Sequence, residues 1–333
     1  MPEGVTVTLL VVLGLAVTFD YINGFHDTAN AIATSVSTRA LAPVWAIAMS
    51  ATANFAGALT GTAVAETIGS GLVETEAVTQ TVIAAALVGA IAWNLLTWRL
   101  GIPSSSSHAL IGGLLGASLI AAGIGSWQID GIVTKVLVPL VASPLIGFTL
   151  AILFMALLFN VFVKAHPGRI NGVFRRLQIG SAAYMAFSHG SNDAQKTMGI
   201  MTLALVEAGI LTTFEVPLWV ILTAASAISL GTAAGGWRII KTMGQKVVKL
   251  DPVHGFAAET TAATVIFGAS RLGLPVSTTH IISSAIMGVG SADRIKAVRW
   301  GVARSIVIAW ILTLPASGTA AALAFLILNP ILS

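Results

Sequence analysis

The 333-residue sequence contains no cysteine, which excludes disulfides and thiolate metal sites. It also contains little charge. Lys, Arg, Asp and Glu make up 9% of the chain, against about 25% in a soluble domain. No stretch is hydrophilic enough over a sufficient length to form a separate soluble domain. The sequence pI near 9.7 comes without a basic face or an aromatic platform, so nucleic acid is not an expected partner. No nucleophile–base set and no nucleotide-binding loop stands out, so enzyme activity is not expected. The first apolar run is preceded by Glu3 and by no Lys or Arg. It lacks the basic opening of a signal peptide and reads as a first membrane helix.

What remains is apolar. Hydrophobic residues form 56% of the chain, and the mean hydropathy is +0.91. About 20 apolar residues span a bilayer as a helix. On that criterion we read an all-α polytopic membrane protein with about ten crossings, near 5–36, 43–64, 77–97, 104–122, 132–163, 177–205, 217–237, 254–270, 275–290 and 305–328. Two of these are short, 254–270 and 275–290. Two are long, 5–36 and 177–205, and interruption by Gly and polar residues suggests broken or re-entrant helices there.

Charge sorts the topology. With the N-terminus outside, inside loops hold 14 of the 17 Lys and Arg residues, leaving Lys135 and Arg271 outside and Lys196 in the membrane. That asymmetry is the positive-inside signal. It predicts both termini outside and residues 164–178 in the cytoplasm. Residues 1–163 then form one membrane repeat, 164–178 a connector, and 179–333 a second repeat of inverted topology.

Two pairs of blocks carry the repeat. Asn23-Gly24-Phe25-His26-Asp27-Thr28-Ala29-Asn30 aligns with His189-Gly190-Ser191-Asn192-Asp193-Ala194-Gln195-Lys196, so Asp27 falls on Asp193 and Asn30 on Lys196. An ionisable side chain at bilayer depth costs roughly 2.5–3.5 kcal/mol on insertion scales, so it faces a pathway more often than lipid. Asp27 and Asp193 suit a cation, a proton relay or buried ion pairs. Asn23, Asn30 and Ser188 add neutral oxygens of the kind hard cations take. Lys196, three residues after Asp193, is placed to neutralise it in a purely structural pair. His26 and His189 sit beside the aspartates and are either titrating groups or hydrogen-bonded packing residues.

The second pair is Pro103-Ser104-Ser105-Ser106-Ser107-His108 and Pro275-Val276-Ser277-Thr278-Thr279-His280. Pro followed by Ser or Thr is helix-start chemistry. Helix N-termini present free N–H groups and a positive dipole end, which hold anions. Ordinary capping of two buried helix starts is the competing reading. Ser105, Ser106, Ser107, Ser277, Thr278 and Thr279 are therefore candidates for one anion site, with Asn192 and Lys196 beside it. His108 and His280 are expected to orient the helix starts. Glu66 and Glu259 are candidate gating or coupling acids. Glu259 breaks the symmetry, because its counterpart is Leu87.

These blocks resemble those of the inorganic phosphate transporter (PiT) family over nearly the whole chain, with His26 in place of the usual Asn. The resemblance implies alternating-access symport of inorganic phosphate with Na⁺ or H⁺, no cofactor, a homodimer and a plasma-membrane location among lipid. It carries Asp27 and Asp193 over as cation-site residues and the Ser/Thr blocks as the anion site. His26 leaves the coupling ion open, since imidazole suits proton traffic and an Asn oxygen suits sodium. A sulfate or other oxyanion permease of the same fold and an uncoupled anion channel are the alternatives.

Overall fold

The computed structural model describes residues 6–332. Every element among them is helical, apart from one isolated bridge between Val73 and Trp127. The elements fall into two runs of the same order. The first is α1 (Val7–Ser37), α2 (Pro43–Ala58), α3 (Ala63–Ser70), α4 (Gln80–Leu100), α5 (Ser106–Ala122), then α6 (Ile129–Ile132) leading through a π-turn into α7 (Val138–Phe162). The second is α8 (Pro167–Glu207), α9 (Leu218–Ala234), α10 (Trp237–Lys241) with its own π-turn, α11 (Pro252–Arg271), α12 (Thr278–Asp293) and α13 (Trp300–Leu332). Each run is a long helix, a medium helix, a short helix, a helix with a somewhat shorter partner, and a long closing helix.

The breaks before α5 and α12 follow from local chemistry. Gly101 and Gly273 adopt φ of +69° and +67°, a left-handed turn that a side chain resists and that stops the preceding helix. A Pro follows two residues later and keeps the next residues extended. Ser105 and Ser277 then restart the chain as N-caps, their hydroxyls accepting from the amides of His108 at 3.1 Å and His280 at 3.2 Å. The result is two helical hairpins, α4–α5 and α11–α12.

The breaks differ from those expected. The long Asp-bearing segments are not broken: α1 runs 31 residues and α8 runs 41. The discontinuities lie at the two Gly-x-Pro links and at the 60° bend between α9 and the helix after it. The connector at 164–178 is largely helix, because Pro167 occupies the first turn of α8 and His166 caps it. At about 1.5 Å per residue α8 is about 60 Å long, twice the hydrocarbon thickness, so its polar start projects beyond the membrane.

Among the described residues, four helices are long and apolar enough to cross a membrane: Val7–Ser37, Gln80–Leu100, Ile129–Phe162 and Trp300–Leu332, with the bent α9 pair a fifth. α8 and α11 have the length but carry buried polar residues that lower their hydropathy. Leu145, Leu153, Val161, Ile311 and Leu326 are exposed, as lipid-facing residues are.

The two runs exchange partners. α1 packs on α9, and α8 on α2; α5 packs on α13, and α12 on α7. Both long crossings are glycine contacts. A Cβ at Gly24 would lie 2.2 Å from the Ile228 carbonyl, and one at Gly190 would lie 2.1 Å from that of Asn54. Backbones this close are how helices associate where no hydrophobic drive exists between them. Two apolar cores result. Leu9–Phe19 of α1 and Met198–Leu205 of α8 contribute to one. Ala29–Ala33 of α1 and Phe174–Ala186 of α8 contribute to the other. The polar blocks occupy the middle of both long helices, where one core gives way to the other.

Candidate functional site

Asp27 on α1 and Asp193 on α8 meet at the centre, both buried. With His189 they offer three ligand atoms that lie within 4.8 Å of one another. His189 Nε2 is 3.1 Å from Asp193 Oδ2 and 3.8 Å from Asp27 Oδ2. Those approaches fall outside hydrogen-bond geometry. The other ring nitrogen of His189 faces Asn54 Oδ1 at 3.1 Å, and Asn54 donates to Thr232 at 2.8 Å. His26 Nδ1 pairs with Asp27 Oδ1 at 2.6 Å, and its Nε2 faces Thr97 Oγ1 at 3.1 Å.

Both helix starts close on this pair. Lys196 Nζ donates to Asp193 and to Ser107 Oγ, and reaches the Val276 carbonyl at 3.1 Å. Asn30, in the matching place on α1, donates to Thr279 Oγ1 at 2.9 Å and Thr278 Oγ1 at 3.3 Å. Thr278 donates to Asp193 Oδ2 at 3.2 Å, and Thr279 to Asp27 Oδ2 at 3.4 Å. So Lys196 of the second run holds the α5 start of the first, and Asn30 of the first holds the α12 start of the second. Ser106 Oγ is buried with no hydrogen-bond partner, which leaves a hydroxyl to donate to an anion.

The remaining expected residues divide. Ser188 is buried with its hydroxyl unpartnered, and so is Asn23 Oδ1. Asn192 turns away from the aspartates and donates to Ser270 Oγ at 2.9 Å and the Leu274 carbonyl at 3.1 Å, fixing the end of α11. Glu66 lies on the exposed face of α3, outside the buried cluster. Glu259 is buried away from the aspartates, bonded by Thr34 and Ser181 and by Gln178 Nε2 at 3.3 Å. Gln178 also accepts from Thr38 at 2.7 Å, so this acid ties α11 to both long helices. Thr34 is seven residues from Asp27, about 10 Å along α1. The His108 and His280 rings lie with centroids 4.9 Å apart at a 45° tilt, behind the helix starts they were expected to orient.

Asp20 shares a helix face with the first block in the sequence, but nothing there makes it a ligand. It is fully buried, and neither carboxylate oxygen has a hydrogen-bond partner. Thr197 and Asn23 lie beside it. Its spacing of seven from Asp27 is two helical turns, which places it on the same face, but spacing alone did not distinguish it from a packing residue.

The chain matches the model of the "Phosphate transporter family" over residues 23–321. The chain belongs to the phosphate transporter family. It is 50% identical over 327 residues to a Bacillus subtilis protein named "Probable low-affinity inorganic phosphate transporter", covering 97% of this chain and 98% of that one. A Rhizobium meliloti protein of the same name is 50% identical over 319 residues, covering 95% of each chain. A solved structure of a sodium-dependent phosphate transporter superposes with a TM-score of 0.86 at 27% identity, covering 98% of this chain and 100% of that one. The members of this family are transporters, so the family matches give no support to an enzyme reading.

Proposed function

We propose that this chain is a cation-coupled symporter that carries inorganic phosphate across the cytoplasmic membrane by alternating access. The observation that carries this reading is the convergence of two helix N-termini, Lys196 and two buried aspartates on one point. The anion half is the first turns of α5 and α12, whose free amides and the hydroxyls of Ser106, Ser107, Thr278 and Thr279 favour a tetrahedral oxyanion. Lys196 adds positive charge. The cation half is Asp27 with Asp193, joined by Asn23, Ser188 and Asp20.

Sodium is the coupling ion we favour. Asp20, Asn23 and Thr197 present buried oxygens with no hydrogen-bond partner, which is a hard-cation donor set. The sodium dependence named for the similar structure points the same way. A phosphate dianion cannot enter the low-dielectric core alone. Loading a cation beside it offsets the charge, so the full site is easier to move than a half-loaded one.

Ten crossings, a first repeat over 1–163, a connector over 164–178 and an inverted repeat over 179–333 complete this reading, with both termini outside. The repeated element order and the basic loops support it. Assembly as a homodimer rests on the family resemblance.

The test is uptake of labelled phosphate into proteoliposomes under separately imposed Na⁺ and H⁺ gradients. Uptake should follow the Na⁺ gradient and fail in Asp27→Asn. Ser106→Ala and Thr278→Ala should raise the phosphate Kd by about 10- to 150-fold, since a hydrogen bond to a charged group is worth roughly 1.5–3 kcal/mol. Flux that ignores both gradients would make the protein a channel, and preferential sulfate uptake would move the substrate to another oxyanion.

A further inference from the structure

A groove of about 570 Å³ opens on the lipid-facing flank between α7, α12 and α13. Val141 and Leu145 form one wall, Val307 and Ile311 the other, and His280 and Ser284 of α12 the floor. The volume is in the range of about 300–1,000 Å³ typical of ligand sites. From Trp300 to Ile311 the groove follows α13 for about 16 Å. It is long, apolar and open sideways, which suits a hydrocarbon chain rather than a soluble molecule.

One charged side chain lines it, Arg304, and no acidic one does. Among the described residues Arg304 has no ion-pair partner. Arg294, Lys296 and Arg299 are exposed on the link that leads into α13. The single acid there, Asp293, lies 3.9 Å from Arg294. Arg304 in the groove is therefore preceded along the chain by a basic link that ends at Trp300. Trp300 stands at the rim, its indole donating to the Ile295 carbonyl at 2.9 Å, as aromatic residues do at a membrane interface. A guanidinium on a lipid-facing helix is costly unless it reaches a headgroup. Each basic residue near an anionic leaflet gains about 1 kcal/mol.

We propose that this groove binds one anionic phospholipid, with an acyl chain between α12 and α13 and the phosphodiester on Arg304. The chain covers the back of the helix whose first turn carries Thr278 and Thr279. It also seals His280, whose two ring nitrogens have no hydrogen-bond partner and whose ring stacks on Trp310 at 4.1 Å. Lipid headgroup charge then acts on the substrate hairpin from outside the transport site.

Native mass spectrometry of the purified full chain with phosphatidylglycerol or phosphatidylcholine tests this. Wild type should retain one phosphatidylglycerol per chain about fivefold more tightly than phosphatidylcholine. Arg304→Gln should erase that preference. Val307→Trp, which fills the groove from an exposed position, should weaken retention of both lipids, whereas Val161→Trp, exposed elsewhere on α7, should weaken neither. Equal retention of the two lipids by wild type overturns the proposal. So does a preference that survives in Arg304→Gln, or a Val307→Trp effect no larger than that of Val161→Trp. Because the chain lacks cysteine, a single cysteine at Val307 reports contact between copies. Efficient cross-linking in membranes would make the groove a dimer face and also overturn the lipid assignment.

Discussion

At Asp193 the carboxylate meets an ammonium, a threonine hydroxyl and an imidazole; at Asp27 it meets two imidazoles, and a threonine hydroxyl at longer range. The frame is the same in both places. Each aspartate sits one turn before a residue that bonds the start of α5 or α12. That residue is Lys196 in one case and Asn30 in the other. A repeated backbone thus carries unequal charge. The second block is internally neutralised, and the first keeps a carboxylate faced by the imidazoles of His26 and His189 but by no ammonium among the described residues. The difference separates the two carboxylates: Asp193 is held by the Lys196 ammonium, and Asp27 has no ammonium beside it among the described residues.

Removing each carboxylate gives the largest contrast. Asp193→Asn strands Lys196 in a buried site, and breaking one side of a buried pair costs roughly 3–5 kcal/mol. Asp27→Asn leaves an imidazole that can stay neutral, so its loss in thermal stability should be much smaller although transport fails. The double variant Asp193→Asn/Lys196→Asn, which removes both members of the buried pair and leaves no stranded charge, should recover most of the stability. Equal destabilisation by the two single variants in a detergent melting assay would erase the distinction between the blocks.

That inequality was partly visible beforehand. Asp27, Asp193, Lys196 and the Ser/Thr blocks were legible because charge and helix-start chemistry are rare in apolar sequence. The pairing of Lys196 with Asp193 followed from a spacing of three. Other links were not legible. Asn54, Thr97 and Thr232 come from helices remote in sequence, and neutral polar residues give no signal until packing brings them to His26 and His189. Unbroken α1 and α8 were also missed. Glycine there serves close helix crossing at Ile228 and Asn54, which looks the same in sequence as a helix break. Glu259 was recognised as buried, but its partners Thr34, Gln178 and Ser181 lie on two other helices.

The second contrast lies one shell out. Ser107 receives a hydrogen bond from charged Lys196, and Thr279 receives one from neutral Asn30, its own bond to the Asp27 carboxylate being long at 3.4 Å. Bonds involving a charged group are worth about 1.5–3 kcal/mol and neutral ones about 0.5–1.5 kcal/mol. Ser107→Ala should therefore lower the melting stability more than Thr279→Val, although the positions are repeat mates. The opposite order would show that Lys196 is satisfied without Ser107, through Asp193 and the Val276 carbonyl alone.

The smallest effect should be one in which the two halves agree. Ser105 and Ser277 cap α5 and α12 with nearly the same geometry, at 3.1 and 3.2 Å. Neither capping bond involves a charged side chain. Each accepts a backbone amide left free by the helix start, so the asymmetry of the aspartate blocks has no route to it. Replacing a Ser N-cap by Ala costs about 1 kcal/mol. Ser105→Ala and Ser277→Ala should each lose about that much, and by the same amount within the error of a melting measurement. A loss confined to one variant would mean that the charge difference between Lys196 and Asn30 reaches the backbone of the helix starts. The repeat would then be unequal in its scaffold as well as in its charge.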